Sequence, residues 1–152
     1  MKKFLLVVPL LFLVGCTNQV EEDKYTYLEY KSDLQEQDTF NEKDELEFNT
    51  YFNIIRETEE KINYSIVISN PEVNMNNVKA LLIHDSIVED VFPSVGIFDD
   101  PVTLEKDTDD KLILEGTIQT EKDINDTKFK LYLEYTTDDG NENKIYYEVK
   151  RG

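Results

Sequence analysis

Cys16 is the only thiol in this chain and His84 the only imidazole, so a thiolate–imidazole couple has a single possible pairing. No GxSxG turn offers a serine in place of the thiol. His84 closes a stretch with strand-like alternation, where an imidazole is usually structural, and zinc sites draw on several Cys and His ligands that are lacking here. Carboxylates are plentiful, with 33 Asp and Glu, and a pair of them can act as acid and base on a glycoside. At that density, however, close pairs arise by chance and describe a solvated face. Hard oxygen ligands gather in two turns, Asp107-Thr108-Asp109-Asp110 and Asp138-Asp139-Gly140-Asn141. Asp107, Asp109, Asp138, Asp139 and Asn141 are therefore the calcium candidates, although neither turn fits the twelve-residue helix-loop-helix pattern and turn geometry favours the same residue types. No cofactor motif is present. Of the two readings, a non-catalytic domain is preferred to an enzyme working through surface carboxylates.

The elements that would position Cys16 are its own leader. Met1-Lys2-Lys3 is cationic, Phe4 to Val14 is uncharged and apolar, and Gly15-Cys16 closes the run, which is the layout of an export signal. The run is too short to cross about 30 Å of hydrocarbon, which takes about 20 apolar residues, and Pro9 interrupts it. Its end, Leu13-Val14-Gly15-Cys16, resembles the lipobox of bacterial lipoproteins. That resemblance implies a diacylglyceryl group on the Cys16 thiol, cleavage of the signal peptide 1–15, and a mature chain that starts at the lipidated cysteine. A lone cysteine has no intrachain disulfide partner, and two acyl chains are enough for stable anchoring, so both facts suit the lipid.

The chain carries a formal net charge of −17, and loss of Lys2 and Lys3 with the leader takes the mature part to −19. Nucleic acid and anionic head groups select basic surfaces, which excludes both as specific ligands and favours a basic protein surface as partner. The abundance of Lys, Asn, Ile, Asp and Glu points to an AT-rich genome and a Gram-positive source. The expected address is the extracytoplasmic face of the cell membrane.

Beyond the anchor, residues 16–23 read as a polar tether and 24–152 as a single domain. Tyr25 to Tyr30 has the aromatic content of a strand, and Lys31 to Asp44 reads as an exposed loop; if Lys24 to Lys31 does not pair, the tether extends to Asp44. The main strands begin at residue 45, where Leu46, Phe48, Phe52 and Ile54 share one face. Ile62, Tyr64, Ile66 and Ile68 repeat the alternation until Asn70-Pro71 stops it. Val78 to His84 fits either a strand or a short helix, with strand preferred from its surroundings. Asp85 to Pro101 reads as a long connection. Val102 to Lys106 and Lys111 to Gln119 flank Asp107–Asp110 as a hairpin, and Phe129 to Tyr135 and Ile145 to Val149 form a second one about Asp138–Asn141. Seven strands at this spacing resemble an immunoglobulin-like antiparallel β-sandwich, so the expected fold is all-β. Tyr25, Tyr27, Tyr30, Tyr51, Tyr132 and Tyr146 fall on faces opposite the core or at edges, where aromatic residues can form a recognition surface.

Taken together, the sequence points to a membrane-anchored binding or interaction module. A spacer domain and a calcium-binding domain are the other roles it allows.

Overall fold

The computed structural model describes residues 17–59, 61–85, 95–119 and 124–150. The Leu13–Cys16 signature lies outside them. Seven strands form two antiparallel sheets: β1 (Asn49–Glu57), β2 (Lys61–Ser69) and β5 (Lys111–Gln119) in one, in the order β1-β2-β5, and β3 (Met75–His84), β4 (Val95–Leu104), β6 (Phe129–Thr136) and β7 (Glu142–Glu148) in the other, in the order β4-β3-β6-β7. The expected sandwich is thus present. Strands one, two and five against three, six and seven is also the immunoglobulin-like partition, with β4 placed beside β3.

Alternation explains the main core. Ile62, Tyr64, Ile66 and Ile68 of β2 and Leu112, Leu114 and Ile118 of β5 are buried against Phe129, Leu131, Leu133 and Tyr135 of β6 and Ile145 and Tyr147 of β7. Antibody domains fill the centre of this space with a disulfide and a tryptophan. Here there is no tryptophan, and aromatic rings fill the space instead: Phe52 and Tyr64 lie 4.7 and 4.9 Å from Phe129 between ring centroids. His84 joins this group at the end of β3, 5.8 Å from Phe129, as a half-buried packing residue.

Three expectations differ. The run from Tyr25 to Tyr30 is not a strand, nor is Thr17 to Asp23 a coil: α1 (Thr17–Glu36) is a single helix of 20 residues. Tyr27, Tyr30 and Leu34 recur at i, i+3 and i+7 and are buried on one side, whereas Tyr25 is 70% exposed. The helix does not meet the length and apolarity needed to cross a membrane, and neither does any other helix among the described residues.

The second difference is β4, a full edge strand over part of the stretch expected to be a connection. Pro101 sits within it, at an edge where the missing N–H costs no ladder bond, and the register shifts there because β4 carries extra residues between Ile97 and Val102 against Ala80 to Val78 of β3. Third, Val102–Lys106 and Lys111–Gln119 are not a hairpin. The turn at Asp107–Asp110 carries the chain from β4 in one sheet to β5 in the other. The hairpin about Asp138–Asn141 is present as expected, with Tyr132 opposite Tyr146 and Leu133 opposite Ile145.

The strand reading of Val78 to His84 is correct. Ala80 and Leu82 enter the main core, while Leu81 and Ile83 are buried on the opposite face.

Candidate functional site

The outer face of the four-stranded sheet carries the most organised polar cluster. The odd-numbered residues of β6 enter the core, so Lys130, Tyr132 and Glu134 point outward, flanked in register by Ile83, Leu81 and Lys79 of β3 and by Glu148, Tyr146 and Lys144 of β7. Helix α1 covers the apolar part of this face. Tyr27, Tyr30 and Leu34 pack on Leu81, Ile83 and Tyr132, with Phe40 and Tyr146 at the border, forming a second core separate from the first.

Glu134 stands where that cover ends. The Tyr30 hydroxyl donates to its Oε1 at 2.6 Å, the Tyr132 hydroxyl to its Oε2 at 2.5 Å, and Lys79 Nζ lies 3.4 Å from Oε1. The rings of Tyr30 and Tyr132 stack at 4.4 Å with a tilt. Desolvation pushes the Glu134 carboxyl upward, but the two phenol bonds and then Lys79 outweigh it, and the group is held below the ordinary glutamate range. Burial, followed by the bond to Glu134, raises both the Tyr30 and Tyr132 hydroxyls well above their usual value. The arrangement keeps one carboxylate charged and two phenols protonated, which is the chemistry of a latch between helix and sheet.

Those shifts give a pH prediction with a definite sign. A carboxyl lowered on folding contributes stability above its unfolded value and loses it as pH falls through the folded one; a phenol raised on folding contributes stability below its unfolded value and loses it as pH rises. Docking of α1 is therefore firm from mildly acidic pH to about pH 10 and weakens outside that window. A tyrosinate absorbance titration checks this: part of the nine-tyrosine signal should appear only well above pH 10, together with loss of helix. Complete titration at the ordinary phenol value would contradict the latch.

The two acidic turns predicted as calcium candidates do come together at one end of the sandwich. Asn74 Nδ2 donates to Asp138 Oδ2 at 2.7 Å, and Asn74 Oδ1 accepts from the Lys106 backbone N–H at 2.8 Å, so this one side chain ties the Asp138 turn to the Asp107 turn. Asn76 Nδ2 adds a bond to Asp138 Oδ1 at 2.9 Å, and the Asn74 and Asn76 bonds hold the Asp138 carboxyl below the usual aspartate range. Asp139 is lowered chiefly by the Thr137 hydroxyl and also receives Asn141 Nδ2 at 2.6 Å. Asp107 adopts the left-handed region at φ 59°, and Asp109 is exposed in the same turn. These bonds are those of turn formation. Among the described residues no three His, Cys, Asp or Glu side chains converge to hold a metal.

Of the six tyrosines read as lying outside the core, Tyr27, Tyr30, Tyr132 and Tyr146 meet in the second core, while Tyr25 and Tyr51 are exposed. Sequence reasoning did not find the Tyr30–Glu134–Tyr132–Lys79 cluster. The available signal was the helical spacing of Tyr27, Tyr30 and Leu34, together with an acid, Glu134, set between buried Leu133 and Tyr135.

No protein-family model matches this chain, and no curated protein matches it. Among solved structures, the crystal structure of Spo0M, a sporulation control protein from Bacillus subtilis, aligns with 67% of this chain and 48% of its own length, at 7% identity and a TM-score of 0.27. The aligned part is thus about half of that protein, and the superposition is too loose to bear on function.

Proposed function

We propose that this chain is a lipoprotein anchored through a diacylglyceryl group on Cys16 to the extracytoplasmic face of the cell membrane, and that its sandwich is a non-catalytic binding or interaction module. The observation that carries the reading is the signature Leu13-Val14-Gly15-Cys16 at the end of a cationic and apolar leader. Partner choice follows from charge. A mature domain near −19 attracts a basic protein surface, with exposed charges screened over about 8 Å at physiological salt.

Metabolic labelling with a fatty acid tests the anchor. Label should enter the parent protein and disappear in Cys16→Ser, which should be released from the membrane fraction. Equal labelling of both proteins, or free secretion of the parent, would overturn the reading. Crosslinking in intact cells then identifies the partner by mass spectrometry.

A further inference from the structure

We infer that α1 is a rigid strut that sets the sandwich end-on to the membrane, with the acidic turns Asp107–Asp110 and Asp138–Asn141 nearest the lipid and the Glu57–Lys61 end outermost. The inference rests on the anchored reading above and adds to it which end of the domain a partner can meet.

The direction of α1 across the sheet is fixed at two points. Tyr30 is level with Tyr132 and Glu134, whereas Gln35 borders a hollow of about 240 Å³ shared with Ile83, Lys128 and Lys130. The helix therefore runs broadly opposite to β6 while touching β3 and β4 as well, and the residues before Tyr30 head towards the end of the sandwich that carries the turn after Thr136. From Tyr30 back to Thr17 at 1.5 Å per residue is about 20 Å. From Glu134 to Asp138 along an extended chain is about 13 Å. At Thr17 the helix has thus covered the distance to the end of the sandwich where Asn74 ties the two acidic turns together, and Cys16 is the preceding residue in sequence.

A coil would allow every orientation. A docked helix does not, because Leu34 is fully buried and Tyr30 is bonded to Glu134 across 104 positions of sequence. The near end carries the exposed carboxylates of Glu105, Asp107, Asp109, Asp110, Asp138 and Asp139 with Lys106 among them. Anionic head groups repel that end, so the helix, and not contact with lipid, holds the domain in place. The opposite end, with the β1–β2 turn, is free to face outward.

Because the chain has no tryptophan, single tryptophans report position without background. Asp109→Trp and Glu59→Trp mark exposed turns at opposite ends of β2 and β5, about 30 Å apart for nine-residue strands. Energy transfer to dansyl-labelled phosphatidylethanolamine is measured on vesicles carrying the anchored protein. Transfer from Asp109→Trp should exceed that from Glu59→Trp several-fold, and adding Leu34→Asp should bring the two together. Equal transfer in the otherwise unaltered protein, or more from Glu59→Trp, overturns the strut whatever Leu34→Asp does. Attaching a maleimide lipid to the Cys16 thiol gives the same comparison independently of cellular acylation, so a failure of the strut and a failure of native anchoring are told apart.

Discussion

Leu131→Asp should leave the domain unfolded at neutral pH, whereas Lys130→Asp should shift its urea midpoint only slightly. Leu131 is fully buried in the main core, opposite Leu82 on β3 and Tyr147 on β7. A carboxylate there has no cation within the aliphatic layer, and an unpaired buried charge costs about 3–5 kcal/mol beyond the lost packing. That is comparable with the whole stability of a small domain, about 5–15 kcal/mol. Lys130, one residue away, points to the outer face and is half-buried, with its ammonium 5.1 Å from the Phe40 ring centroid. Losing that contact costs about 0.5–1 kcal/mol. Comparable losses in the two variants would mean that β6 does not present these residues to opposite faces.

The second large effect is local. Glu134→Ala should release α1 while the sandwich stays folded. The substitution removes the acceptor of both the Tyr30 and Tyr132 hydroxyls and the partner of Lys79. Tyr132 is fully buried, so its hydroxyl is left without an acceptor at a cost of about 1–3 kcal/mol. At about 1.4 kcal/mol per decade, that predicts roughly five- to hundredfold faster hydrogen exchange at the amides of α1. Exchange in β2 and β5, which belong to the other sheet, should change little. A uniform increase across both sheets would show that the latch supports the entire fold and not the helix alone.

How much could be read in advance depended on whether a segment has one buried face or two. β2 and β6 alternate cleanly because each has an inward row on the main core, and both were legible. β3 was ambiguous for a physical reason: Ala80-Leu81-Leu82-Ile83 is buried on both faces, by the opposing sheet and by α1, so the period of two is lost. The helix was misread because Tyr25-Thr26-Tyr27 mimics strand alternation, and among its described side chains the buried stripe is only Tyr27, Tyr30 and Leu34.

β4 was hidden by Asp99-Asp100-Pro101, residues that break a central strand yet fit an irregular edge. The switch between sheets after it depends on which distant strand buries it, and a local turn carries no record of that. Ile54 illustrates the same limit at smaller scale. The alternation places it inward, but β1 is an edge strand with its register broken between Ile54 and Arg56, and Ile54 is 43% exposed. The Glu134 cluster joins a helix, β3 and β6, and no single stretch of sequence contains it.

The span between Tyr30 and Glu134 also orders events during biosynthesis. A chain emerges N-terminus first, and an isolated helix of 20 residues is close to marginal in water. Its docking surface needs β3 and β6, and β6 does not begin until Phe129. This early segment is therefore among the last to settle. Throughout that interval the helical stretch lacks its docking surface, and the completed sandwich then fixes the helix against its sheet. In this chain, closure of a long-range contact makes an early-synthesised helix a late-folding one.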